Sequence, residues 1–222
     1  KLMDLSLPEA LSVEEAASIL GASKGLDERT RALIEKAFSE VRRAAAPKMC
    51  FVRVEQAVLS ELIQGRDLSR HLKQCDAAVL FAVTLGSGVD ALLRRTQLTD
   101  MAYAVIMDAA ASVAAESVAE QAQEYLVQQT KEKGRYLTGR FSPGYGDSPL
   151  ALQSIFLTRL DAQRKIGLCA TDTCLLTPRK SITAICGEAD VPVKGALAGC
   201  ATCALRETCQ KRKEGNHCHG AV

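Results

Sequence analysis

The sequence predicts an α+β fold: a small, mostly antiparallel sheet packed on a long central helix, with an N-terminal helical region and a Cys-rich C-terminal tail. Three observations lead there. Apolar residues recur at three- and four-residue steps in several segments, the spacing of amphipathic helices, and the period shortens to two only in brief stretches. Helices and strands also fail to alternate regularly, which argues against a doubly wound parallel sheet. With 222 residues, 47% hydrophobic and 24% charged, the chain is long enough to build its own core.

Ser12-Val-Glu-Glu15 is a capping box and Gly21 a stop, so a short first helix is expected. From Asp27, the residues Leu33, Ile34, Ala37, Phe38 and Val41 keep helical spacing until Ala46-Pro47 ends the pattern. Met49 to Val54 is extended in character, Leu59 to Leu62 and Leu68 to Leu72 are short helical pieces, and Asp76 to Leu85 reads as a buried strand. Another helix follows Gly86-Ser-Gly88. The longest helix starts near Asp100 and runs to about Lys133 without Pro or Gly. Gly134 to Gly146 is a loop, after which Ser148-Pro149 opens a helix with the hydroxyl as cap. That helix carries Leu152, Ile155, Phe156 and Leu160 on one side until Gly167. Thr173 to Thr177 and Ser181 to Cys186 read as a hairpin around Pro178-Arg-Lys180. The chain thus divides into a mainly helical region over 1–75, a core over 76–187 and a Cys-rich, metal-binding tail over 188–222.

Charge and patterning exclude several classes. With 28 Lys+Arg against 26 Asp+Glu, the net charge of +2 is too small and too dispersed for the basic face of a nucleic-acid binder. The longest apolar run, Ala77 to Gly88, falls short of the roughly 18 residues a membrane span needs. The acidic start, with Asp4, Glu9, Glu14 and Glu15, lacks the form of an export signal, which makes the cytoplasm the expected location.

Four features could carry chemistry. Gly86-Ser-Gly88-Val-Asp-Ala91 has the G-x-G-x-x-A form of a dinucleotide fingerprint. The helix after it leads into a longer helix instead of returning to a parallel strand, so the glycines are read as shaping a tight turn. Arg140-Phe-Ser-Pro-Gly-Tyr-Gly-Asp-Ser-Pro149 is a stiff loop whose glycines permit close approach. Its Arg140 either grips a carboxylate by a two-pronged contact or pairs with a helix end, and Tyr145 either offers an aromatic face with a polar tip or packs. Glu116 shares a face with Val105, Ala109, Ser112 and Val113, expected to lie against the sheet, where a carboxylate meets a cationic ligand group, a protein cation, or solvent at the helix margin. No general acid–base pair stands out. The tail reads Cys200-x2-Cys203-x5-Cys209-x8-Cys218, the ligand density of a zinc or iron–sulfur site, or else an oxidisable tail. Cys169, Cys174 and Cys186 read as small buried hydrophobes.

The segments AVLFAVTLGSGVDALLRR, YAVIMDAAASVAAESVAE, RFSPGYGDSPLALQ and TCLLTPRKSITAICG follow one another between about Asp76 and Gly187. In that order, and with the R-x-x-P-G-Y core, this half of the chain resembles the activation domain of cobalamin-dependent methionine synthase in its short stand-alone bacterial form. The resemblance implies an accessory subunit that binds S-adenosylmethionine as methyl donor and docks on a corrinoid protein or methionine synthase core. It would allow a cobalamin oxidised to Co(II) to be remethylated after one-electron reduction. It further implies that Arg140 holds the methionyl carboxylate, that Ser142 and Gly144 contact the ligand through backbone, that Tyr145 faces the corrinoid, and that Glu116 is a ligand-binding carboxylate. A tail iron–sulfur cluster would bring the electron in place of flavodoxin or ferredoxin; zinc would only staple the tail. Full-length family members carry an Asp and a His, used in handling the displaced cobalt ligand, where this chain has Ser112 and Ala151, so that step differs or is absent. Two other functions stay open: a metal-cluster redox module delivering electrons to a corrinoid protein, and a non-catalytic corrinoid-binding accessory protein.

Overall fold

The computed structural model describes residues 1–22, 25–193 and 207, and its architecture is α+β. A five-stranded sheet has the order β1-β2-β3-β7-β4, from β1 (Leu2–Asp4), β2 (Lys48–Glu55), β3 (Ala77–Thr84), β4 (Tyr136–Leu137) and β7 (Ser181–Ala189). Every neighbouring pair is antiparallel. β5 (Cys169–Ala170) and β6 (Leu176–Thr177) form a separate ribbon. Helices α1 (Val13–Ile19), α2 (Glu28–Ala44), α5 (Ser87–Thr99) and α6 (Met101–Lys131) cover one face of the large sheet. α3 (Gln56–Leu62), α4 (Arg66–His71), α7 (Leu152–Leu160) and α8 (Ala162–Ile166) cover the other.

This layering explains the pattern of the central strand. Val79, Phe81 and Val83 enter the core under α6, while Ala78, Leu80 and Ala82 enter the core under α7. All eight residues of β3 are therefore buried, which is why its sequence reads as a continuous apolar run instead of an alternating one. β2 pairs with β3 along its whole length, so one sheet joins the segment 1–75 to the segment 76–187, and Glu188 and Ala189 still belong to β7.

The helix starts obey local chemistry. The Ser12 hydroxyl accepts from the Glu15 amide at 3.1 Å, the Asp27 carboxylate from the Thr30 amide at 2.8 Å, and the Asp100 carboxylate from the Tyr103 amide at 3.0 Å, each satisfying an amide that the first turn leaves open. By length and composition α6 could cross a membrane, a feature that the search for uninterrupted apolar runs passes over. Its apolar side chains instead serve the core: Met107, Val113, Val118 and Leu126 are buried there. Its many alanines let α2 and α5 lie close. At the α5–α2 contact a Cβ on Gly88 would strike the Ala44 carbonyl. The G-x-G-x-x-A sequence is thus a packing device, and β3 beside it has antiparallel neighbours on both sides.

Five expectations need correction. Thr173–Thr177 and Ser181–Cys186 do not form a hairpin: β6 folds back on β5, whereas β7 is held by β3 across eight residue pairs, Ala77↔Glu188 through Thr84↔Ser181. The Gly134–Gly146 loop contains β4. Ser148 does not cap the following helix, because its backbone is engaged in the preceding loop, accepting from the Gly144 amide at 3.2 Å and donating to the Tyr145 carbonyl at 3.0 Å. α7 begins only at Leu152, and the Ser148 hydroxyl is buried without a hydrogen-bond partner. The expected single helix also breaks at Asp161, whose φ of 54° separates α7 from α8; Ile155, expected on the buried side, is partly exposed.

Candidate functional site

The site lies where the chain after α6 runs along the outer edge of β7. β4 pairs with the end of β7, the Thr138 amide donates to the Gly187 carbonyl at 2.9 Å, and Phe141 exchanges both backbone hydrogen bonds with Ile185, each at 2.9 Å. Side chains alternate along an extended segment. Phe141 therefore enters the core under α7, and Arg140 turns to the α6 side.

There Arg140 meets Glu116. Its Nη2 donates to Glu116 Oε2 at 2.8 Å, and Nη1 lies 3.5 Å from Gln123 Oε1. The Arg140 side chain is 18% exposed and that of Glu116 is 51% exposed, so the pair has a fixed cationic half and a half-open anionic half. Of the readings left open for Glu116, the structure shows the protein cation, and Arg140 pairs with this carboxylate in the middle of α6, not with a helix end.

The loop that follows is held rigidly. Phe141 takes the Tyr145 ring edge-on, with centroids 6.2 Å apart, and the Tyr145 amide donates to the Ser142 carbonyl at 3.2 Å. Asp147 caps α4 from outside, its carboxylate accepting from the Arg66 and Asp67 amides at 2.9 Å each, while its own amide donates to Asp67 at 3.3 Å. Those two amides hold the Asp147 carboxyl below the usual carboxylate range. Gly146 lies against Asp67 with φ +55°, where a Cβ would collide with the carboxylate and strain the backbone. On the inner side, His71 Nε2 lies 2.9 Å from both the Gly139 carbonyl and the Thr138 hydroxyl. Ser142 is half-buried, Gly144 is exposed and Tyr145 is 39% exposed.

Sequence reasoning passed over Lys180. Its Nζ lies 2.9 Å from Asp108 Oδ1 and from Ser112 Oγ, and 3.2 Å from the Asp108 carbonyl. Asp108, Ser112 and Glu116 recur every four residues on α6 and so share a face. The available signal is the Pro178-Arg-Lys180 sequence: a lysine at the mouth of a buried strand needs an acceptor nearby. The expected face also needs correction at Val105. Ala109 and Val113 are buried, but Val105 is 56% exposed.

Cys186 is buried, but Cys169 and Cys174 are only half-buried. Cys200, Cys203, Cys209 and Cys218 lie outside the described residues. Among the described residues no group of three or more His, Cys, Asp or Glu could hold a metal ion.

No protein-family model and no curated protein matches the chain. Among solved structures, the crystal structure of the MetH reactivation domain bound to AdoHcy is similar, with a TM-score of 0.59 at 14% identity, covering 97% of this chain and 86% of that one. At such identity the likeness establishes a shared fold.

Proposed function

We propose that the protein binds S-adenosylmethionine at the Arg140–Glu116 pair and serves as an accessory subunit in the reductive remethylation of a Co(II) corrinoid carried by a partner protein such as a methionine synthase core. The observation that carries this reading is the contact of a mostly buried guanidinium with a half-exposed carboxylate, in a chain that shares its fold with the MetH reactivation domain bound to AdoHcy.

The residues fit an amino-acid end. A zwitterion presents a carboxylate and an ammonium a short distance apart, so it can enter between Arg140 and Glu116 and replace one ion pair by two, leaving no charge unpaired. Arg140 would take the carboxylate in the two-pronged geometry a guanidinium favours, and Glu116 the ammonium. The edge pairing with β7 and the Asp147 clamp on α4 hold Arg140 and the loop in place beforehand, which lowers the entropic cost of binding. Tyr145, at the exposed turn of the loop, would face the corrinoid, with Ser142 and Gly144 offering backbone groups to the ligand. When bound, S-adenosylmethionine supplies a sulfonium methyl, an activated electrophile; the protein's contribution is orientation, and no acid–base pair is required. The electron would come from a donor such as flavodoxin or ferredoxin.

Calorimetric titration with S-adenosylmethionine tests this directly. The wild-type protein is expected to bind one equivalent, and Arg140→Ala to weaken binding by at least about tenfold, the order expected for loss of a charge-assisted hydrogen bond. Equal binding by the two proteins would reject the site.

A further inference from the structure

The edge segment that carries Arg140 does not follow β7 in a single register. Tyr136 and Leu137 pair with Ala189 and Glu188, whereas Phe141 pairs with Ile185. From Leu137 to Phe141 the edge chain advances four residues while β7 runs back only three, so the edge holds one extra residue, a β-bulge. The bulge decides where Arg140 points. Leu137 packs against the core under α6, and strict alternation would put residue 140, three positions on, on the opposite face of the sheet. With the extra residue, Phe141 enters the core under α7 and Arg140 reaches Glu116 on α6 at 2.8 Å. Without it, the side chains after the bulge would exchange faces, and Arg140 would point away from Glu116.

Two side chains hold the bulge. The Thr138 amide donates to the Gly187 carbonyl at 2.9 Å, and in an unbroken antiparallel ladder the Gly187 amide would return a bond to the Thr138 carbonyl. It donates instead to the Thr138 hydroxyl, at 2.8 Å. The next carbonyl, that of Gly139, is met by side chains: the Thr138 hydroxyl and His71 Nε2, each at 2.9 Å. A carbonyl only accepts, so Nε2 carries the hydrogen; it also lies 2.9 Å from the Thr138 hydroxyl. His71 belongs to α4, on the face of the sheet opposite α6. It is 2% exposed, and its ring lies against Phe141 with centroids 5.3 Å apart.

We infer that His71 is a positioning residue of the site: from the opposite face of the sheet it donates to the Gly139 carbonyl and so holds the bulge that turns Arg140 toward Glu116. The inference rests on the proposed binding of the ligand carboxylate by Arg140. His71 touches no ligand; it acts through the backbone one residue before Arg140. Loss of its donor relaxes the bulge and misaligns the guanidinium. A two-pronged contact depends on that alignment more steeply than the rest of the ligand's contacts do.

The test reads the carboxylate contact as a ratio of dissociation constants, decarboxylated S-adenosylmethionine over S-adenosylmethionine, measured by calorimetry on the full chain. General loosening of the fold weakens both ligands together, whereas misalignment of Arg140 lowers the ratio. The ratio is expected to be at least about tenfold in the wild type and to fall to about twofold or less in His71→Phe, which keeps a ring against Phe141 but has no donor. His71→Gln carries an N–H at a similar reach and should restore most of the ratio. If His71→Phe fails to fold, Thr138→Val decides: it keeps the shape of the side chain, removes the hydroxyl from the other side of the bulge, and should lower the ratio in the same way. A wild-type ratio in the deciding variant, or an equal fall in His71→Gln and His71→Phe, overturns this inference and leaves the Arg140 site standing. A ratio near one in the wild-type protein overturns the proposed carboxylate contact itself.

Discussion

Glu116 is half in water, and an ion pair with an exposed partner contributes about 0.2–1 kcal/mol to stability. Its conservative replacement thus separates architecture from binding: Glu116→Gln should change the free energy of unfolding by less than about 1 kcal/mol, yet weaken S-adenosylmethionine severalfold in calorimetry. Glu188 is the opposite case. Its side chain is 4% exposed and lies between Arg53, whose Nε donates at 2.7 Å, and Arg135, whose Nε faces it as an ion pair outside hydrogen-bond geometry. The Glu188 contact raises the affinity of Arg53 for its proton. Glu188→Ala removes the carboxylate the two guanidiniums share, leaving Arg53 with Glu55 and Arg135 with Asp76, and should cost about 1–3 kcal/mol in urea unfolding. A loss below about 1 kcal/mol would show that water solvates the arginines well enough without it.

The cysteines give a pH dependence. Burial pushes the Cys186 thiol up to about 12 and the Cys50 and Cys75 thiols to about 11, from an ordinary 9.0. Above roughly pH 9 the unfolded chain releases these protons while the folded chain keeps them, so folding stability falls as pH rises. Unfolding curves at pH 8, 9 and 10 should show a steady decline. In alkylation at neutral pH followed by peptide mapping, Cys50 and Cys186 should be modified only after denaturation.

At the level of elements, two close contacts set the frame of the site. Gly88 lets α5 lie on the end of α2, and Gly88→Ala should cost roughly 1–3 kcal/mol, the usual penalty of forced overpacking, read as a lower thermal midpoint. Asp147 ties the Arg140–Pro149 loop to α4 through two amides. Asp147→Ala removes both of those contacts, and limited proteolysis should then cut between residues 140 and 150 faster than in the wild type. Sequence made α1, α2 and α6 legible because their starts are local: Ser12, Asp27 and Asp100 each reach an amide three residues on. β4 and the pairing of β6 with β5 were not legible. A two-residue strand carries no period, and the choice of partner for β7 was decided by the distant β3, nearly a hundred residues earlier in the chain.

Across the whole molecule, the site depends on a sheet covered on both faces, which places α6 on one side and the Arg140–Pro149 loop along its edge. The residues of the site were legible singly: Arg140 from its place in a Pro- and Gly-rich loop, Glu116 as a charge on a face of small residues. Their contact was not, since 23 residues of chain separate them and only the pairing of Phe141 with Ile185 fixes which way Arg140 points. Lys180 escaped because its partners lie on an element 72 residues away in sequence from its own position. If, as proposed, an amino-acid end replaces the Arg140–Glu116 contact with two new ion pairs, binding requires both charges of the zwitterion. The most direct measurement compares the calorimetric affinity of the wild-type protein for S-adenosylmethionine and for its decarboxylated form. Saturable binding of the first and at least about tenfold weaker binding of the second are expected, the order when a guanidinium loses its carboxylate; equal affinities would rule out the proposed role of Arg140.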